Sequence, residues 1–136
     1  AVDSVGTRSL GYDADNNPLT ISEGTNILGR VFDARSRVTR YTNQWREVLQ
    51  FGWDANNNLT NLVYPDGRAV RYAYDARNQL TNVTDWTNRV TSIQYDLAGQ
   101  VTEITRPNGT KRVVAYDAAG QTREIKELRA HGTIIA

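Results

Sequence analysis

Along most of this chain apolar and polar residues alternate with a period of two, in segments of about seven residues, a usual strand length. Arg68-Ala69-Val70-Arg71-Tyr72-Ala73-Tyr74 is one such segment and Gln79-Leu80-Thr81-Asn82-Val83-Thr84-Asp85 is another. Both are rich in Thr, Val and aromatic residues, which sit well on a pleated surface. Turn signals separate the segments, and no crossover long enough to reverse a parallel strand intervenes. The pattern predicts an all-β fold of antiparallel hairpins in series.

The alternation itself recurs. An aromatic residue followed by aspartate stands at Tyr12-Asp13, Phe32-Asp33, Trp53-Asp54, Tyr74-Asp75, Tyr95-Asp96 and Tyr116-Asp117, at spacings of 20, 21, 21, 21 and 21. Self-similarity at such a period signals a repeat architecture. The chain parses as a single array, with a lead-in strand over 1–11 and repeats at 12–31, 32–52, 53–73, 74–94, 95–115 and 116–136. The start lacks Met and falls in mid-pattern, and the last residue falls just before a seventh aromatic-Asp pair is due. A piece of something longer is expected.

Each repeat carries two turn signals. The first is Asp-x-x-Gly/Asn, as in Asp54-Ala55-Asn56-Asn57, Asp75-Ala76-Arg77-Asn78, Asp96-Leu97-Ala98-Gly99 and Asp117-Ala118-Ala119-Gly120. The carboxylate accepts a backbone N–H two residues on, and Gly or Asn supplies a left-handed residue. Asp33-Ala34-Arg35-Ser36 puts Ser there, which predicts a looser turn. The second signal, Pro65-Asp66-Gly67 and Pro107-Asn108-Gly109, is a three-residue hairpin connection with a bulge. Trp86-Thr87-Asn88 keeps only the Asn, and Gln44-Trp45-Arg46 keeps none of it.

Period two puts Val70, Tyr72 and Tyr74 on one face, with Thr91, Ile93, Tyr95, Arg112, Val114 and Tyr116. With Asp-x-x-Gly as a four-residue loop, Leu62, Val83, Ile104 and Ile125 join this better-buried face, and Val38, Leu59, Leu80 and Val101 fall on the other. A single bulge swaps that assignment. The ends are less regular. Leu10 stands where Tyr72 stands, Asn16-Asn17-Pro18 adds a residue, and the next hairpin is shorter. The last repeat lacks the Pro-x-Gly turn, and Arg123 to Arg129 reads as strand more than as a helical turn.

Tyr-Asp-x-x-Gly/Asn-x-Leu/Val-Thr-x-Val/Ile-x-x-Pro-Asp/Asn-Gly, over essentially the whole chain, resembles the YD repeat of bacterial Rhs proteins. The same repeat occurs in Tc toxin B and C components and in animal teneurins. The resemblance implies a curved or spiralling sheet of hairpins, a segment of a hollow shell. In Rhs and Tc proteins that shell encloses a C-terminal toxin, and in teneurins it is an extracellular adhesion scaffold. It also implies a secreted or bacterial cell-surface setting. The self-cleaving Asp-Pro-x-Gly-Leu motif of such toxins needs an Asp-Pro pair, and none occurs here. A partial β-propeller is an alternative fold, but six repeats would supply only three blades, too few to close.

Composition narrows the function. The formal net charge is +1, which gives no long-range attraction to nucleic acid or an anionic membrane. No apolar run approaches the ~20 residues of a membrane span. Nearly all the cations are arginines, suited to planar contacts on carboxylates and aromatic rings. The absence of cysteine removes disulfides and thiolate metal sites.

The aspartate row could be a carboxylate site, but repeats lie two strands apart, about 2 × 4.8 Å. That is too far for neighbours to share a calcium ion at its ~2.3–2.6 Å bonds. Equivalent environments also give no reason for one carboxyl to be acid and the next base. Each Asp is therefore expected to nucleate its own turn, and the aromatics to pack across strands rather than form a stacking platform for ligands. His131 is the only histidine and is expected at the surface. No catalytic constellation, cofactor site or metal site is expected, so the chain reads as a non-enzyme. Trp45 and Trp86 stand at hairpin tips, either exposed as partner contacts or folded back on the next hairpin. Expected partners are the rest of the parent polypeptide or further copies, through open sheet edges, together with a toxin cargo or a glycan.

Overall fold

The computed structural model describes residues 8–135, all of them strand, turn or irregular chain, with no helix. Twelve strands follow one another in sequence order in an antiparallel sheet. The chain divides at Ala69/Val70 into two compact units. The first holds β1 (Arg8–Tyr12), β2 (Pro18–Glu23), β3 (Asn26–Phe32), β4 (Val38–Thr42), β5 (Val48–Trp53) and β6 (Leu59–Val63). The second holds β7 (Ala69–Tyr74), which opens at the boundary, then β8 (Leu80–Thr84), β9 (Val90–Tyr95), β10 (Val101–Thr105), β11 (Lys111–Tyr116) and β12 (Thr122–Leu128). The first residues of the lead-in strand lie outside the described residues; β1 is its visible part. β12 is strand, as the alternation predicts.

The two turn signals produce one geometry. In Asp75 to Gln79 the first N–H donates to the fifth carbonyl at 3.0 Å, and the N–H of Asn78 returns to the Asp75 carbonyl at 3.1 Å. Tyr64 to Arg68, around Pro-Asp-Gly, closes with the same pair of bonds at 2.8 and 3.0 Å. The fourth residue is left-handed in each, with φ of 61° at Asn78 and 83° at Gly67. The Asp-x-x-Gly signal is thus not a four-residue loop of its own kind. The Ser36 turn is no looser either: it closes at 3.0 Å twice, with Ser36 at φ 58°. Among the described residues only the connection between β2 and β3 departs, a tight turn through Gly24 that pairs Glu23 with Asn26. The shorter hairpin expected there is present. Asp13 to Asn17, by contrast, has the standard length, so Asn16-Asn17-Pro18 adds nothing. Nor does the last repeat lack its second turn. Arg129 to Thr133 forms it around Gly132, with His131 exposed at its tip.

The hairpins differ in register. Every hairpin closed by an aromatic-Asp turn shifts by one residue beside the aromatic, as where Ala73 faces Asn82 but Tyr74 faces Leu80. The extra residue is Thr81; in the hairpins before and after it is Thr60 and Thr102. Such a bulge bends the strand and increases its twist. Residues directly opposite share a face, so Val38, Leu59, Leu80 and Val101 lie with Phe32, Trp53, Tyr74 and Tyr95, not on the opposite face. The Leu62, Val83, Ile104 and Ile125 row is opposite Phe51, Tyr72, Ile93 and Val114, as the alternation predicts.

Each unit consequently has an apolar, aromatic face and a polar one. In the second unit the polar face carries Asn82 against Ser92 and an ion pair between Glu103 and Lys111 at 2.8 Å. Within each unit, no second layer of described residues covers the apolar face. Among the described residues Val70, at 8% exposure, is the only buried hydrophobic. Side chains there are covered by their neighbours along the sheet.

Candidate functional site

The feature that recurs from hairpin to hairpin is the aromatic-Asp pair, and each half has a defined task. The Asp side chain closes the turn that it begins. Oδ1 of Asp54 accepts the N–H groups of Asn56 and Asn58, both at 2.8 Å. Asp33, Asp75 and Asp117 accept in the same way, Asp13 does so at 3.0 and 2.8 Å, and Asp96 takes the Gln100 N–H at 2.9 Å. The second oxygen is occupied at three of these turns, by the amides of Asn17 and Asn58 and the guanidinium of Arg37. The Arg37 hydrogen bond holds the Asp33 carboxyl down at about 2, and the side chains of Asn17 and Asn58 lower Asp13 and Asp54.

Asn43 and Asp85 play the same part at the other end of the hairpins. Asn43 accepts the N–H of Trp45 and Glu47, and Asp85 those of Thr87 and Arg89. The Thr87 hydroxyl, at 2.7 Å, is the first cause of an Asp85 pKa far below the usual carboxylate range. The signal for this was present in the sequence, since Asp85-Trp86-Thr87-Asn88 spells the Asp-x-x-Asn turn.

The aromatic half reaches back to the preceding repeat. Tyr95 donates its hydroxyl to the Leu80 carbonyl and Tyr116 to the Val101 carbonyl, both at 2.9 Å. Trp53 uses its indole N–H on the Val38 carbonyl at 2.8 Å. Each accepting residue stands next to a bulge. The bulge threonines contribute as well, with the Thr39 and Thr81 hydroxyls donating to the Val31 and Ala73 carbonyls at 3.2 and 3.1 Å.

A further chain of bonds ties turn to turn. The residue after the left-handed position reaches the left-handed residue one repeat on, as Gln79 does to the Gly99 carbonyl at 3.3 Å and Gln100 to the Gly120 carbonyl at 2.8 Å. Asn17 reaches the Ser36 hydroxyl at 3.0 Å. Arg37 does most: it pairs with Asp33 at 2.7 Å and donates to the Asp54 carbonyl at 2.7 Å. It also donates to Asn57 Oδ1 at 3.0 Å and lies 5.7 Å from the Trp53 ring centroid. These links depend on which turns become neighbours, so no single repeat announces them.

Phe32 and Tyr74 hold the same position in the row, beside their own bulges. Tyr12, in β1, faces Pro18 and is 54% exposed. Trp45 and Trp86 are both exposed, at 72% and 49%. Among the described residues no three His, Cys, Asp or Glu side chains converge on a metal-sized site. A broad cleft of about 660 Å³ lies over Gln79, Ile93, Tyr95 and Leu97, with Arg77 on its wall. Three of its polar side chains are committed: Arg77 donates to the Leu97 carbonyl at 2.9 Å, and Gln79 and Tyr95 make the bonds above.

Solved structures share this fold. A TcdB2–TccC3 complex without its hypervariable C-terminal region matches with a TM-score of 0.76 at 15% identity, over 93% of this chain and 8% of its own. TcdB2–TccC3–Cdc42 matches with a TM-score of 0.77 at 14% identity, over 95% of this chain and 8% of its own. A mutant Tc holotoxin pore of Photorhabdus luminescens gives 0.75 at 14% identity, over 95% and 8%. At these identities the likeness is one of fold, and the chain spans a small fraction of those proteins. No curated protein gives a significant match by sequence. The RHS repeat profile matches residues 53–91 and 95–126, just over half of the chain. With its aromatic-Asp turns, its bulged hairpins and that match, the chain belongs to the RHS repeat family.

Proposed function

We propose that the chain is a structural, non-catalytic wall segment of a larger Rhs-type protein, which is secreted or displayed at a bacterial surface and encloses a C-terminal toxin. The observation that carries this reading is the commitment of the recurring side chains. Tyr95, Tyr116, Gln79, Gln100 and Arg37 all spend their polar groups on the adjacent repeat. Such a molecule is built to hold hairpin to hairpin. Its partners are the remainder of its parent polypeptide, or further copies, through the edge strands, with the enclosed toxin as cargo.

Protease protection in the intact parent protein tests this. The segment downstream of the repeats should resist digestion, and Ile93→Pro, which breaks β9 in mid-strand, should expose it. Equal digestion with and without an intact β9 overturns the reading.

The exposure of Trp45 and Trp86 favours a second reading, an extracellular adhesion module of the teneurin kind that recognises a glycan or a protein. Binding on a glycan array that is lost in Trp45→Ala would distinguish it from the wall reading.

A further inference from the structure

The tip between β10 and β11 holds an asparagine unlike the others. Asn108, in Pro107-Asn108-Gly109, is the one asparagine of the chain that glycine follows. It is exposed. Its Oδ1 accepts from the Thr110 N–H at 3.0 Å and from the Thr110 hydroxyl at 2.8 Å, while no described residue accepts from its Nδ2. Asn43 shows the contrast. Its oxygen also holds two N–H groups, but Gln44 follows it, and its Nδ2 donates to Glu47 at 2.7 Å. The Nδ2 groups of Asn17 and Asn58 are likewise tied, to Asp13 and Asp54.

Asparagine is among the thermolabile side chains, because the next backbone nitrogen can attack its side-chain carbonyl carbon. A following glycine, with no Cβ, leaves that approach open. Negative charge then develops on the side-chain oxygen. At Asn108 this atom already faces two donors from Thr110, the arrangement that stabilises an oxyanion. The departing amide is held by nothing among the described residues. One restraint opposes the reaction: the Gly109 N–H donates to the Arg106 carbonyl at 2.8 Å and must first be released. The turn therefore holds back the nucleophile and assists the electrophile.

We propose that Asn108 is a site of spontaneous modification, cyclising to a succinimide that hydrolyses to aspartate or isoaspartate, with Thr110 as the oxyanion donor. A base takes the Gly109 N–H proton, and the nitrogen bonds to Cγ of Asn108. The bond from Cγ to Nδ2 breaks, and the amide leaves as ammonia with a proton from water. Water then opens the cyclic imide at either carbonyl. The aspartate product fits the turn. In the sibling turn Asp66 accepts the Arg68 N–H at 3.0 Å and pairs with that side chain at 3.1 Å. At position 108 the new carboxylate enters a cleft of about 440 Å³ shared with Arg89 and Arg106, and the formal net charge falls by one from +1. Isoaspartate instead adds a backbone methylene and breaks the turn. The site is independent of both the wall and the adhesion readings.

The test incubates the 136-residue chain at mildly alkaline pH in heavy-oxygen water, followed by peptide mapping with mass spectrometry. Residue 108 should take up the label before any other asparagine, and a methyltransferase specific for isoaspartate should mark the same peptide. Thr110→Val removes the hydroxyl donor and should slow conversion about tenfold, the rate equivalent of one hydrogen bond. Thr110→Ser should restore the parent rate. In urea, where the turn is lost, the parent chain and Thr110→Val should react alike. Label confined to other asparagines, an unchanged rate in Thr110→Val, or a tenfold difference that persists in urea each overturns the site.

Discussion

At Arg46 and Asp33 single residues carry opposite burdens in the same kind of turn. Arg46 is left-handed without being glycine, so Arg46→Gly should raise stability by about 1 kcal/mol, read as a higher urea midpoint. Gly109 is the converse. It sits at φ 81°, and an added Cβ would stand 2.9 Å from that of Ala130. Gly109→Ala should therefore destabilise by more than about 1 kcal/mol in the same assay. Asp33 couples its turn to pH. Its carboxyl is lowered from 3.8 to about 2, first by the Arg37 side-chain hydrogen bond. A depressed folded-state pKa gives stability that is present above pH 4 and lost as the pH falls from 4 toward 2. Carboxyl titration by NMR should find Asp33 near 2 in the parent chain and moved toward 3.8 in Arg37→Gln. An unmoved value would assign the depression to the turn N–H groups instead.

Elements of this sheet were legible in the sequence wherever the cause was local. Alternation gave the strands, and Asn57, Asn78, Gly99 and Gly120 stand at the left-handed turn positions where Asn and Gly were expected. The bulge was not legible, because Thr60 and Thr81 become the extra residue only once two strands are in register. That single step moves Leu59 and Leu80 onto the aromatic face. The reach of Gln79 to Gly99 and of Tyr95 to Leu80 likewise exists only between repeats. Tyr95→Phe isolates one such link. Phe32 already occupies this position without a hydroxyl, so the ring should still pack, and the loss should be about 1 kcal/mol for one half-buried hydrogen bond. A fluorescence-monitored urea titration checks it, and a change near zero would mean that water replaces the tyrosine.

If further copies add at the sheet edges, as proposed, the outermost strands decide where they do so. In the first unit β1 pairs with β2 alone among the described strands, and its Leu10 side chain is 51% exposed. In the second unit Leu128 of β12 bridges Ile134, and the Ile135 N–H bonds the Glu127 carbonyl at 2.8 Å, so the returning chain begins to occupy the free side. The β1 edge is therefore the better template for another strand, since unpaired N–H and C=O groups recruit a partner unless a charge or a bulge blunts them. An array held by nearest-neighbour contacts gains stability with each hairpin added, which favours pairing by a further copy. Sedimentation velocity from about 10 μM to about 1 mM, the range of weak association, should show the mean mass rising with concentration. Leu10→Lys should suppress that rise without changing the far-UV dichroism, because the charge acts at the edge and not in the hairpin stack. A chain that stays strictly monomeric at the highest concentration would mean that β1 is already too short or too twisted to recruit a strand.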